Sequence, residues 1–178
     1  MAGNVYLVGM MGAGKTTLGK ALAQRTGLEF VDTDRVLVER TGVPVATIFE
    51  IEGEDGFRRR ESGILAELAA RSGCVVATGG GAVLAEDNRR VMRSSGTVVY
   101  LRARLENLWE RTRHDSNRPL LATADPHATL AAILERRDPL YREAAHVVVE
   151  TSSQSAATLV NRVLAAVRQH EEAAGPAR

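Results

Sequence analysis

The stretch "VGMMGAGKTT", residues 8–17, decides how this chain is read. Gly9 to Thr16 fits the spacing G-x-x-x-x-G-K-[ST], in which each position has a physical task. The glycines let backbone amides converge on one point and let an anion approach closely. The helix that follows such a loop adds unpaired amides and a positive dipole end. Lys15 supplies a point charge for outer phosphates, and Thr16 a hydroxyl oxygen of the kind Mg²⁺ prefers. The loop, Gly12, Ala13, Gly14, Lys15, Thr16 and Thr17, is therefore expected to hold the phosphate tail of a nucleotide, with Mg²⁺ beside Thr16.

Working outward, short β-rich runs alternate with longer helical patterns. Strands are expected at 4–8, 29–32, 74–78, 97–102 and 146–150, and helices at 15–26, 34–41, 54–71, 86–95, 104–113, 128–137 and 156–170. Strands separated by helices imply right-handed βαβ crossovers and a mostly parallel sheet covered on both faces. At 178 residues the chain suits one α/β domain, with residues from about 171 read as a frayed tail. Net charge is +1, which gives no global electrostatic case for nucleic acid or a membrane surface. Cys74 is the only cysteine, so no internal disulfide can form, and its setting "CVVAT" suits a small buried apolar side chain. No stretch is long enough to span a bilayer and no basic leader precedes the first strand, so a cytoplasmic protein is expected, with a monomer as the default.

Sheets of this kind bind ligands at the carboxyl ends of their strands. The segments after each strand therefore hold the candidate acceptor site. "FVDTD" ends the second strand, and Asp32 and Asp34 face one side if the strand alternation continues. One carboxylate could sit near the metal and the other could orient or deprotonate an incoming hydroxyl; alternatively Asp34 caps the next helix. "EDGFRRRESG" places Arg58, Arg59 and Arg60 about 100° apart on a helix, so they cannot share one pocket. Glu61 lies three residues after Arg58 and can fix its direction. Any of the three could instead belong to a solvated basic face. "ATGGGAV" leaves bare backbone at Gly79, Gly80 and Gly81, either for close approach of a ligand or as a flexible turn. "SNRPLLATAD" suits a lid that brings Arg118 to the transferring phosphoryl group, and "ERRDPLYREA" offers Arg136 and Arg137 near Tyr141.

Together "GMMGAGKTT", "DTD", "GEDGFRRRE", "TGGGAV", "RPLL" and "RRDPLYREAA" resemble the shikimate kinases, from about residue 5 to residue 154. The resemblance implies a three-layer α/β/α P-loop kinase fold around a five-stranded parallel sheet. It implies a substrate-binding region over residues 34–60 and a lid over about 113–125. It also implies transfer of the γ-phosphate of MgATP to the 3-hydroxyl of shikimate, on the route to chorismate and the aromatic amino acids. By position, Lys15 and the loop amides would hold the ATP phosphates, Thr16 and Asp32 would serve the metal, and Asp34 would hydrogen-bond the acceptor hydroxyls. Arg58 and Arg137, rather than their arginine neighbours, would clamp the acceptor carboxylate, and Gly80 would contact the acceptor, with Gly79 and Gly81 beside it. Phe49 and Phe57 would form apolar walls. Arg111 would stack on adenine, Arg118 would reach ATP and the transfer site, and Gln154 would lie in the adenine loop. Other small P-loop kinases, for gluconate or a nucleoside monophosphate, share the loop, as would a nucleotide-dependent switch; paired arginines favour a carboxylated acceptor.

Overall fold

The computed structural model describes residues 3–114, 119–151 and 155–175. Five parallel strands, β1 (Asn4–Val8), β2 (Glu29–Asp32), β3 (Cys74–Ala77), β4 (Gly96–Arg102) and β5 (Val147–Glu150), form one sheet in the order β2-β3-β1-β4-β5. Register runs Val5 opposite Val75 on one side of β1 and opposite Thr97 on the other. All five residues of β1 and all four of β3 are buried. Apart from Asn4, whose side chain hydrogen-bonds the Leu68 and Arg71 carbonyls and the Cys74 amide, those runs are apolar because both faces of a parallel sheet are covered by helices. Cys74 is among them, fully buried.

Among the described residues seven α-helices connect and cover the strands: α1 (Lys15–Thr26), α2 (Thr33–Thr41), α3 (Val45–Ala69), α4 (Glu86–Ser95), α5 (Leu105–Thr112), α6 (Pro126–Ala144) and α7 (Ala156–Ala174). Leu18 and Leu22 turn to the core from α1, and Val160, Val163, Leu164 and Val167 from α7. Among the described residues no helix is long and apolar enough to cross a membrane.

Three elements depart from the expected boundaries by more than two residues. The α3 region begins at Val45 rather than 54, as two helical segments meeting at Gly53, whose φ of 69° only glycine adopts readily. Ile48 and Phe57 anchor the two segments in the core. Helix α6 continues through Pro139 to Ala144, well past 137. The missing amide of Pro139 weakens the ladder locally, but Tyr141 and Ala144 are fully buried beyond it, so packing outweighs the break. Helix α7 runs to Ala174, so residues 171–174 are helical rather than part of a frayed end.

At the β5 edge, His146 accepts a hydrogen bond at Nδ1 from the Val98 amide (3.0 Å) and stacks on His170 with ring centroids 4.7 Å apart. Burial, the Arg93 guanidinium and His170 together hold its pKa down at about 4. The folded state thus favours the neutral ring. Stability from this group is complete above the unfolded pKa of about 6.5 and is lost as pH falls from there towards 4. We expect His146→Asn, which keeps an acceptor for Val98, to show a smaller drop in melting temperature than the parent between pH 6.5 and 4. Parallel curves for the two proteins would contradict this.

Candidate active site

The loop after β1 is shaped by residues that must take unusual backbone angles. Gly12 (φ 77°) and Gly14 (φ 93°) lie in the left-handed region, and Gly14 caps α1. The Ala13 amide closes the turn onto the Met10 carbonyl (3.1 Å). Lys15 folds into the loop, its Nζ donating to the carbonyls of Gly9 (2.7 Å) and Met10 (2.9 Å). Thr16 and Thr17 stand exposed in the first turn of α1. Arg111, exposed on α5, reaches across to the loop and donates to the Gly12 carbonyl (3.1 Å). A side chain at Gly12 would meet Thr112 Cγ2 at 2.8 Å, so α5 and the loop are packed as one unit.

Asp32 and Asp34 divide their work differently from the expectation. Strand β2 ends at Asp32 and Thr33 already begins α2, so strand alternation does not set the direction of Asp34. Asp32, not Asp34, is the helix cap: its Oδ1 accepts from the amides of Asp34 (3.1 Å) and Arg35 (3.3 Å). Its other oxygen accepts from Thr16 Oγ1 (2.8 Å). A hydroxyl and a carboxylate are thereby set side by side at the edge of the phosphate loop. That pair is a hard oxygen donor set, as Mg²⁺ requires. Among the described residues no cluster of three or more histidine, cysteine or acidic side chains could cage a metal unaided. Asp34, relieved of capping, lines the neighbouring cavity.

That cavity, about 120 Å³, is lined by Asp34, Phe49, Phe57, Arg58, Gly79, Gly80, Gly81 and Arg137, together with Met11, Val45 and Leu120. Phe49 and Phe57 pack at 4.6 Å between centroids, and the Arg58 guanidinium lies 5.0 Å over the Phe57 ring. Burial separates the neighbouring arginines. Arg59 and Arg60 are exposed, Arg60 pairing with Glu52 (2.6 Å), whereas Arg58 faces inward. Arg136 is exposed and Arg137 is only 5% exposed. Met11, Val45 and Leu120 carry no local sequence signal for this place. Val45 could have been inferred only from its i, i+4 spacing to Phe49, had a helix been expected there.

Glu61 is the buried strut of the site, 1% exposed. Its Oε2 accepts from Arg58 Nη1 (2.8 Å), as the i, i+3 spacing suggested, and Glu54 accepts from Nη2 of the same guanidinium (3.2 Å). Its Oε1 has no hydrogen-bond partner. Burial pushes the Glu61 carboxyl up, opposed by Arg58 and Arg137 and reinforced by Asp34. Space is tight at two of the three glycines. A Cβ at Gly79 would collide with Glu61 Oε1 and press on Asp34 Oδ1 (3.1 Å), and one at Gly81 would overlap the Arg58 guanidinium. The Gly79 amide is tied to Thr33 Oγ1 (3.0 Å), which fixes the run against α2. These contacts pack the run closely against its own neighbours, which argues against a flexible turn. Arg118 and Gln154 lie outside the described residues.

A sequence model of the family described as shikimate kinase matches residues 11–168 of this chain. A shikimate kinase of Nitrosospira multiformis is 58% identical over 153 residues, covering 86% of this chain and 78% of that protein. One of Chromobacterium violaceum is 55% identical over 164 residues, covering 92% and 89%. Among solved structures, a shikimate kinase from Acinetobacter baumannii in complex with shikimate superposes with a TM-score of 0.92 at 46% identity, over 95% of this chain and 94% of that one.

Proposed function

This chain belongs to the shikimate kinase family and is an ATP-dependent kinase, and from that premise we propose how its own residues carry the transfer to the 3-hydroxyl of shikimate. Two inward-facing guanidiniums, Arg58 and Arg137, share one cavity with Asp34 at the carboxyl ends of β2 and β3, and that convergence supports the assignment of roles. The arginines hold the acceptor carboxylate as paired, charge-assisted donors. Asp34 accepts from the attacking hydroxyl and aims it at the phosphate loop. Gly79, Gly80 and Gly81 keep the acceptor side of the cavity free of side chains, and Phe49 and Phe57 pack its apolar ring.

On the nucleotide side, Lys15 and the amides around Gly12, Ala13, Gly14 and Thr17 hold the phosphates. Thr16 and Asp32 would hold Mg²⁺, which when bound neutralises charge on the transferring phosphoryl group. Arg111, fastened to the Gly12 carbonyl, borders the place of the base. We assign Arg118 to the lid and Gln154 to the adenine loop on the family resemblance alone. The reading is of one domain acting as a cytoplasmic monomer, with residues 34–60 receiving the acceptor and about 113–125 closing over it. Met11 and Leu120 support this division, since one comes from the phosphate loop and the other from beside the lid arginine, and both line the acceptor cavity.

The carboxylate clamp is tested with shikimate methyl ester, which keeps every hydroxyl and loses the anion. Its KM should exceed that of shikimate on the order of 100-fold, the scale of a lost buried charge-assisted contact. Equal KM values would remove Arg58 and Arg137 from acceptor recognition.

A further inference from the structure

Tyr141 has no part in the roles assigned above, yet it is fully buried directly beneath the cavity. It lies four residues after Arg137 on α6, hence on the same helical face. Its hydroxyl donates to the Gly80 carbonyl and lies 3.6 Å from Met10 Sδ. Its ring stacks on Tyr100 at 4.9 Å between centroids and 26° between planes. Tyr100 is itself held from below, donating to Asp138 Oδ1 (2.8 Å), while Asp138 Oδ2 accepts from Arg142 (2.7 Å). The hydroxyl of Tyr141 is thus the upper end of a braced column running from β4 and α6 to the glycine run. Burial pushes its pKa up to about 12, with the Arg137 guanidinium opposing, so it remains a neutral donor throughout the working pH range.

In a trans peptide the carbonyl of one residue and the amide of the next point opposite ways. Holding the Gly80 carbonyl down onto Tyr141 therefore turns the Gly81 amide up, towards the cavity that Gly79, Gly80 and Gly81 line. The run sits between the two guanidiniums: a Cβ at Gly80 would lie 3.6 Å from Arg137 Nη1, and one at Gly81 would overlap Arg58. The Gly79 carbonyl accepts from the Ala82 amide (3.1 Å) and the Gly81 carbonyl from the Leu84 amide (3.0 Å), so the run is held on either side, and Tyr141 holds the Gly80 carbonyl between them. We propose that Tyr141 is a positioning residue for the acceptor: its hydroxyl locks the peptide between Gly80 and Gly81, beside Arg137, in the orientation that receives the acceptor carboxylate. The inference rests on the reading that this cavity binds shikimate.

The test is Tyr141→Phe, which keeps the ring and its stack and removes one hydrogen-bond donor. Steady-state kinetics with shikimate and with ATP are measured beside the melting temperature, with Tyr100→Phe and Arg137→Ala in parallel. The shikimate KM of Tyr141→Phe should rise about fivefold, as expected for one lost buried hydrogen bond, with the ATP KM unchanged. Tyr100→Phe, which cuts the column lower down and keeps the stack, should retain the parental shikimate KM. A lowered melting temperature in Tyr141→Phe with both KM values at the parental level would mean a merely structural role and overturn the proposal. So would an equal rise in Tyr100→Phe, which would trace the effect to packing of α6. If Arg137→Ala raises the shikimate KM and Tyr141→Phe does not, only the positioning role fails. If neither raises it, the cavity is not the acceptor site and both readings fall.

Discussion

Asp34→Asn should lower turnover with shikimate by about 10²- to 10⁴-fold, the range for losing a positioned general base, while MgATP binding stays at the parental level. Asp32 caps α2 and bridges to Thr16, so neither the helix start nor the metal-side pair depends on the Asp34 carboxylate. Asparagine keeps the shape and can still hydrogen-bond an acceptor hydroxyl, but it does not take up a proton or carry the charge that draws one. The shikimate KM should accordingly move little and kcat should carry the loss. Asp34 also raises the Glu61 carboxyl, so its neutralisation eases rather than strains that buried group. Parental turnover in a folded Asp34→Asn enzyme would remove this side chain from the chemistry.

The second large effect concerns Arg58 and separates binding from stability. Arg58→Ala should raise the shikimate KM by about 100-fold, since a buried charge-assisted contact to the acceptor is lost. It should also cost about 3–5 kcal/mol of stability, because it strips a 1%-exposed carboxylate of its ion-pair partner. Adding Glu61→Gln removes the stranded charge. The double variant should therefore recover most of the lost stability while keeping the high KM. Chemical unfolding and steady-state kinetics on the three proteins check this. Recovery of KM along with stability would show that Arg58 serves the fold and not the acceptor.

How much of this was legible beforehand differs from residue to residue. The phosphate loop was, because left-handed glycines, a lysine and a hydroxyl at fixed spacing have few other uses, and Gly12 and Gly14 take the angles that spacing demands. The choice of Arg58 within its triplet was half legible through Glu61 at i+3, but only the family resemblance selected it, as it selected Arg137 over Arg136. What separates those neighbours is burial, which depends on how α3 and α6 dock. Asp34 lines the cavity, but not through strand alternation, since the strand stops two residues before it and the start of α2 directs it. The segment from Val45 was not read as helical because valine, proline and threonine cluster there and argue against a helix; the Phe49–Phe57 contact that secures it is tertiary. Tyr141 lay beyond Pro139, where the helix was expected to stop, so its distance from Gly80 in sequence hid its hydrogen bond to that carbonyl.

The most direct test of the central claim is ADP release from MgATP, measured with no acceptor and then with shikimate, quinate, gluconate and AMP. The account predicts release that depends on shikimate, with gluconate and AMP near the background. Release driven instead by gluconate or AMP would keep the nucleotide half of the site and contradict the roles given to Asp34, Arg58 and Arg137. A folded, ATP-binding protein that releases ADP with none of them would contradict the acceptor site altogether.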